Sequence, residues 1–319
     1  MASLLGKWLK LDRHDTRLLL TTGIAAGFGA VFGTPVAGAV FAIEVLAIGR
    51  VQYDALIPCL IASVLADLTC RAYGIEHVDY AALMTTPPTA GALDLVLLAR
   101  SILAGVLFGL VGYLFVLLSH GIKRTGARLV RPAWLLPACG GVVLLLLTAA
   151  IGTRDYLGLG VTTMDGTGTS IVNAFRPGSI PASAWWWKLL FTAITLGAGF
   201  KGGEVTPLFF IGATLGNTIA VYAGAPVDLF AALGFIAVFA GATNTPLACT
   251  LMGVELFGGG HVLHYAVACF TAYYFSGHSG IYSAQRLAVA KHGKHPPPAG
   301  IPERTNAPHG TAQDPDRHP

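Results

Sequence analysis

Apolar residues run in long stretches along this chain, and the charged residues fall between the stretches rather than through them. Each stretch is read as a helix that crosses, or partly crosses, a bilayer. Leu18 to Phe32 and Val36 to Ile48 are two helical pieces hinged at Gly33-Thr34-Pro35, each too short to span alone. Tyr53 to Tyr73 is apolar apart from a few polar residues such as Asp67 and is long enough to cross, and Leu93 to Ser119 crosses again. Trp134 to Ile151 follows, then a Gly/Thr-rich stretch from Gly158 to Ser170 with turn chemistry. Trp185-Trp186-Trp187 with Lys188 reads as an interfacial anchor at the head of a helix that runs to Leu196. Leu208–Val221, Leu229–Ala240, Pro246–Phe257 and Val262–Phe275 complete the apolar part. The expected organisation is a transmembrane domain over residues 1–290 and a disordered cytoplasmic tail over 291–319, where Pro, His and polar residues dominate.

Composition sharpens this. The chain has 319 residues, 54% apolar and only 11% charged, with mean hydropathy +0.65, whereas soluble domains carry about 25% charged residues. An integral membrane protein with several spans follows. The net charge of +4 matters less than its placement. Lys7, Lys10, Arg13 and Arg17 precede the first span; Lys123, Arg124, Arg128 and Arg131 form a second cluster, and Arg286, Lys291 and Lys294 a third. The segment from Gly74 to Ala99 has no Lys or Arg but contains Glu76, Asp79 and Asp94. The positive-inside rule makes the three clusters cytoplasmic and the acidic loop external, so a multi-pass protein of the cell (inner) membrane with a cytoplasmic C-terminus is expected. Met1 to Lys10 is basic and lacks a cleavage pattern, so no removable signal peptide is read there. Cys59, Cys70, Cys139, Cys249 and Cys269 form no CxxC pair and read as small packing residues. His261 and His264 stand at i and i+3, but no third ligand or nucleophile accompanies them, which argues against an intramembrane enzyme. No metal, cofactor or nucleic-acid partner is expected.

The charged exception inside the apolar part is Gly197-Ala-Gly-Phe-Lys-Gly-Gly-Glu-Val-Thr-Pro-Leu-Phe-Phe210. Gly197, Gly199, Gly202 and Gly203 let the backbone turn and approach a ligand, and Pro207 suits the first turn of the helix that follows. A helix N-terminus inside a membrane carries about half a positive charge and several unpaired N–H donors, which makes it an anion site. A plain helix–loop–helix corner is the bland alternative. A soluble phosphate loop fits less well, because Lys201 is not followed by Ser or Thr. An internal repeat accompanies this break. Phe32-Gly-Thr-Pro-Val-Ala-Gly-Ala-Val-Phe-Ala-Ile-Glu44 resembles Thr243-Asn-Thr-Pro-Leu-Ala-Cys-Thr-Leu-Met-Gly-Val-Glu255, with Glu nine residues after Pro in both. Internal repeats of broken helices are typical of secondary transporters. Pro207 precedes Pro246 by 39 residues (246 − 207), and the same distance before Pro35 lies ahead of Met1.

Ala25–Glu44, Gly202-Gly-Glu-Val-Thr-Pro207 and Gly277-His-Ser-Gly-Ile-Tyr-Ser283, in this order and spacing, resemble the CLC family of chloride channels and chloride/proton antiporters over most of residues 15–290. The resemblance implies an all-α integral membrane fold of inverted repeats with broken helices, a homodimer in the lipid bilayer, and one anion pathway per subunit. It implies that the loop from Gly203 to Pro207 and Tyr282 hold the anion, with Gly203, Glu204, Val205, Thr206 and Tyr282 as binding residues. On its own residues Tyr282 reads equally as an interfacial aromatic. Glu204 and Thr206 in the loop resemble the fluoride/proton antiporter branch, and Val45 after Glu44 replaces the internal proton-relay glutamate of chloride/proton exchangers, as in that branch. A carboxyl beside an anion must be protonated or paired, which makes Glu204 the proton-coupling candidate; an ion pair with Lys201 is its structural alternative. Glu44 and Glu255 end helices and read as structural. The family's serine-bearing loop and its Gly-(Lys/Arg)-Glu-Gly-Pro loop are not found, so the chain is expected to form the C-terminal two-thirds of a CLC fold. The implied function is transport of chloride or fluoride, proton-coupled in the intact form. The alternative is a truncated, non-transporting fragment that dimerises with or modulates a full-length relative. A tag placed after Pro319 is expected to resist protease in right-side-out vesicles; cleavage from outside reverses the topology.

Overall fold

The structure is a computed structural model that describes residues 2–88, 94–130, 132, 134–163, 166–282, 285–289 and 291. Apart from Lys291 itself, the expected tail lies outside these residues, as do Ser283 and Arg131. Eleven α-helices account for most of the described chain: α1 (Ala2–Trp8), α2 (Arg13–Phe32), α3 (Pro35–Glu44), α4 (Leu56–Ala72), α5 (Leu95–Leu129), α6 (Leu135–Ile151), α7 (Ala184–Gly197), α8 (Val205–Ala223), α9 (Val227–Thr243), α10 (Pro246–Phe257) and α11 (Val262–Phe275). Three helical segments, Tyr53–Ala72, Leu95–Leu129 and Val205–Ala223, are long and apolar enough to cross a membrane; α3, α6, α9 and α10 are apolar but shorter. Ile57, Ile61, Leu65 and Leu68 of α4 and Leu145 and Leu146 of α6 point outward and are exposed, which suits lipid rather than water.

The element boundaries depart from the hydrophobic pattern in three informative places. Helix α2 begins at Arg13, where Asp12 caps it by accepting from the Asp15 N–H at 2.7 Å, so Arg13 and Arg17 ride on the helix rather than preceding it. Helix α5 continues past Ser119 to Leu129 and carries Lys123, Arg124 and Arg128 on its last turns. Helix α3 stops at Glu44 instead of reaching Ile48. Ala47–Ile48 (β1) instead pairs in parallel with Arg286–Leu287 (β2), registering Ala47 with Arg286 and Ile48 with Leu287. A partner so distant in sequence overrides local preference, and no local pattern announces it. Lys188 is a fourth correction: it is not an interfacial anchor. It is fully buried, its Nζ donates to the carbonyls of Gly158 at 2.7 Å and Tyr156 at 3.2 Å, and it lies 4.9 Å from the centre of the Phe210 ring. Carbonyl dipoles and an aromatic face supply what water would otherwise give the charge.

Helix α9 is buried along almost its whole length and forms the centre of the bundle. It crosses α8 at glycines: a Cβ on Gly212 would sit 2.0 Å from the Gly234 carbonyl oxygen, and one on Gly216 would sit 1.9 Å from that of Phe230. Small residues at membrane helix crossings permit such backbone approach. Phe209 of α8 stacks on Phe235 of α9 with ring centres 4.1 Å apart, which fixes the start of α8 against the core.

The two repeat helices, α3 and α10, are joined end to end by their own glutamates. Val36 and Ala37 N–H groups at the start of α3 donate to the two Glu255 carboxyl oxygens at 3.0 and 2.7 Å. Leu247 and Ala248 at the start of α10 donate to the two Glu44 oxygens at 3.1 and 2.8 Å. Each glutamate, at the end of one helix, satisfies the orphan donors opening the other, so the helices lie antiparallel. The Thr-Pro…Glu repeat is the sequence trace of this exchange. Replacing Glu44 or Glu255 by Ala strips two backbone donors of a charged acceptor, and each is expected to cost about 1–3 kcal/mol of stability. Thermal unfolding in detergent measures this, with Gln, which keeps one acceptor, losing less. Unchanged unfolding of both Ala variants removes the caps from the account.

Candidate functional site

Helix α7 ends where Gly197 packs so closely on α5 that a Cβ would meet Ile122 at 2.6 Å. Gly199 then takes φ +90°, a backbone only glycine adopts freely, and turns the chain toward α8. Gly202 and Gly203 have open space around them. Glu204 is the residue capping α8, yet its side chain makes no cap hydrogen bond. Val205 and Thr206 follow in the first turn and Pro207 is buried in it. The first-turn N–H groups of an α-helix have no acceptor within the helix, so this end is electropositive and donor-rich.

The site residues face different surroundings. Gly203 is exposed and Val205 packs partly against the core. Glu204 is half-buried and lines a cavity of about 180 Å³ together with Ser119, His120 and Lys123 of α5, Leu196 of α7 and Ile281. Thr206 lines a different cavity, of about 240 Å³, whose walls include Glu76, His77, Tyr80 and Phe209. Two residues apart, Glu204 and Thr206 therefore open toward separate spaces, one beside the basic end of α5 and one beside the acidic loop.

Ile281 reaches the Glu204 cavity from the far end of the chain, and Tyr282 follows it, its ring meeting Phe41 edge-on at 6.4 Å. The backbone on both sides of it is held. Ile281 N–H donates to the Ala242 carbonyl at 3.0 Å, and the Gln285 amide donates to the carbonyls of Val45 and Thr243 at 2.9 and 2.8 Å. Asn244, in the left-handed region at φ 60°, donates to Gln285 at 3.0 Å. Lys291, at the boundary of the expected tail, donates to Asn244 Oδ1, the Tyr273 carbonyl and Ser276 Oγ at 2.5, 2.6 and 3.0 Å.

The charge beside Glu204 differs from expectation. Lys201 is exposed and, among the described residues, no ion pair joins it to Glu204. The cation that shares a cavity wall with Glu204 is Lys123. Reading the sequence assigned Lys123 to membrane topology only and did not single out Ser119 or His120. The signal was available: Val116, Ser119, His120 and Lys123 recur at i, i+3, i+4 and i+7, one stripe of a helix. What could not be read was which loop that stripe would face. Ser119 Oγ is shielded from solvent and, among the described residues, has no hydrogen-bond partner, so the cavity wall carries an uncommitted hydroxyl as well as the ammonium. Among the described residues no group of three or more His, Cys, Asp or Glu is placed to hold a metal ion.

The sequence profile of the family described as "Voltage gated chloride channel" matches residues 1–277. A "Chloride/fluoride channel protein" from Pseudomonas syringae pv. tomato is 44% identical over 291 residues, covering 89% of this chain and 61% of that protein. The "Voltage-gated ClC-type chloride channel ClcB" from Escherichia coli is 30% identical over 292 residues, covering 88% of this chain and 66% of its own length. Among solved structures, that of a CLC-type fluoride/proton antiporter matches with TM-score 0.81 and 34% identity, over 90% of this chain and 69% of that one. The fold alone is shared with a slow cyanobacterial Cl⁻/H⁺ antiporter, at TM-score 0.67 and 24% identity, over 86% of this chain and 64% of that one. The chain thus spans roughly two-thirds of the length of the proteins it matches. It belongs to the voltage gated chloride channel family, the all-α CLC membrane proteins, on the side of the fluoride/proton antiporters.

Proposed function

We propose that this chain carries a small halide, fluoride or chloride, through a CLC-type pathway whose central stretch is the opening turn of α8, with Glu204 as the group that couples protons to the anion. The observation that supports it most is the separation of the two cavities by that single turn, with Glu204 on one side and Thr206 on the other. An anion passing between the two spaces meets the N-terminal end of a 19-residue helix and Thr206, and the family resemblance adds the Tyr282 hydroxyl. Glu204 sets the condition for passage. At about 4 Å and an effective dielectric near 20, an ionised carboxyl and a halide repel by about 4 kcal/mol. Anion entry and protonation of Glu204 therefore favour each other. Lys123, on the same cavity wall, offsets the charge of Glu204 while the proton is away.

The basic ends of α2 and α5 lie at the cytoplasmic face in this reading, and the loop with Glu76 and Asp79 lies outside. The functional unit is a homodimer in the bilayer, a reading favoured by the exposed apolar face of α4. The whole transporter of which relatives give the pattern includes more chain than the matched part, so fluoride binding as well as flux belongs in the test.

The measurement is paired fluoride and proton flux from liposomes with chloride as competitor, beside calorimetric fluoride binding to the purified chain. Glu204→Gln keeps size and hydrogen-bonding shape, so it is expected to abolish proton coupling while leaving fluoride binding and the fold. Tyr282→Phe is expected to weaken fluoride binding by about 1.5–3 kcal/mol, the range for a lost hydrogen bond to a charged group. Normal proton coupling in Glu204→Gln leaves an ordinary CLC-like anion pathway. No flux and no halide binding by the chain, alongside association with an intact relative, favours the modulating-fragment reading instead.

A further inference from the structure

We propose that Arg17, Arg50 and Arg286 form a binding site for a phosphate-bearing anion on the face of the protein that carries the β1–β2 pair. The three side chains come from separate parts of the chain: Arg17 from α2, Arg50 from the turn after β1, and Arg286 from β2 itself. All three line one open cavity of about 500 Å³. Among the described residues none of them has a carboxylate within ion-pairing distance. Asp54 also lines the cavity, but its carboxyl faces the His14 imidazole at 3.8 Å. Counting Asp54 against the arginines still leaves the cavity net positive.

Three guanidiniums brought to one concavity with no carboxylate paired to any of them repel each other weakly through water. An anion with several oxygens replaces that repulsion by charge-assisted and bidentate bonds. Size separates this site from the halide pathway. The cavity falls within the range of small-molecule sites, about 300–1,000 Å³, and is several times larger than a bare halide requires. The 180 Å³ cavity beside Glu204, in contrast, has one lysine and one imidazole on its wall. Tyr53 and Gln52 add neutral donors at the rim of the larger one.

The surroundings tell what occupancy would do. Gly49, at φ +78°, holds Arg50 in a tight turn under Val289. The short parallel pair is otherwise maintained by few bonds, with Arg286 N–H donating to Leu46 O at 3.2 Å and Ala288 N–H to Ile48 O at 3.1 Å. A ligand gripping Arg50 and Arg286 together therefore clamps β1 to β2 and both to α2. Arg286 is four residues from Tyr282, so the clamp steadies the segment that carries that hydroxyl. The chemistry suits two sources, the phosphodiester of an anionic lipid headgroup or a free phosphate in solution.

The test is a melting curve of the purified chain in a neutral detergent, titrated in separate arms with dihexanoyl-phosphatidylglycerol, dihexanoyl-phosphatidylcholine and inorganic phosphate. A saturable rise in melting temperature with phosphatidylglycerol, and none with phosphatidylcholine, assigns the site to an anionic lipid. A comparable rise with inorganic phosphate assigns it to phosphate as such. In either case Arg50→Gln and Arg286→Gln are each expected to raise the half-saturating concentration at least roughly tenfold, as for one lost charged hydrogen-bonding partner. Circular dichroism shows that the variants keep their helices, and Lys201→Gln, on another loop, serves as a charge-matched control. No saturable shift in any arm, or an equal loss in the Lys201 control, overturns the proposal. Neither outcome depends on halide transport, so this site and the transport reading fail separately.

Discussion

Glu44 and Glu255 each close the open end of the other's helix, and that exchange fixes the two repeat helices on which α9 and then α8 are packed. Four N–H···O bonds at 2.7–3.1 Å lock α3 and α10 antiparallel. A buried helix start without an acceptor is expensive, because each stranded N–H costs about 1–3 kcal/mol. Inside a membrane no water relieves it. The carboxylates therefore favour starting a helix at Thr34-Pro35 and at Thr245-Pro246, where the two threonines are fully buried. Helix α10 packs on α9, α9 meets α8 at Gly212 and Gly234, and the start of α8 thereby gains its place between two cavities.

Buried polarity in the rest of the fold follows the same rule with different partners. Lys188 is as deep as any phenylalanine of the core, and two loop carbonyls and the Phe210 ring receive its ammonium. Asn217 donates to the carbonyls of Ala174 and Arg176 at 2.7 and 3.0 Å, tying the loop before α7 to α8. Asp228, at the start of α9, accepts from the backbone and hydroxyls of Thr85 and Thr86, and so holds the loop between α4 and α5. These groups pin irregular segments that have no hydrophobic face of their own. They keep the loops on either side of α8 in place, where packing alone would leave them free.

Much of the fold could be read from residues because its periodicity is strong. Pro246–Phe257 and Val262–Phe275 begin and end where the apolar runs do, and the Thr-Pro…Glu repeat pointed to two equivalent helices. The glycine break could be read as a helix start for a similar reason, since Gly199 and Pro207 have few other uses. The partners were not readable. Nothing near Glu255 tells that its carboxyl reaches residues 36 and 37, some 218 positions away. Lys188 beside three tryptophans carries the local signature of a membrane interface, and only the loop from Tyr156 to Gly160 makes it a core residue. Lys201, near in sequence, is the alternative partner for Glu204 that the sequence offers, yet Lys123 is the cation on its cavity wall because α5 extends beyond its apolar run. Composition and period report which residues share an element, while charge pairing depends on tertiary contact.

Among the described residues three glutamates stand at helix starts, and they differ in ways that bear on the proposal that Glu204 exchanges protons. Glu44 and Glu255 arrive from another helix, so both oxygens of each meet the N–H groups of the second and third residues of the helix they cap. Held by two donors apiece, they have no freedom to swing toward a solvent space. Glu204 belongs to the helix that it opens. A capping side chain in that position ordinarily bonds the N–H of the second or third helical residue. The third residue of α8 is Pro207, which has no N–H, and no side-chain cap bond forms. The proline that makes a good helix start thus removes one of the two donors that would have captured Glu204. The carboxyl is left facing the cavity of Ser119, His120 and Lys123, still within the positive end of α8. It lies in the field of the helix start but makes no cap bond there, an arrangement that favours the proposed role in proton coupling.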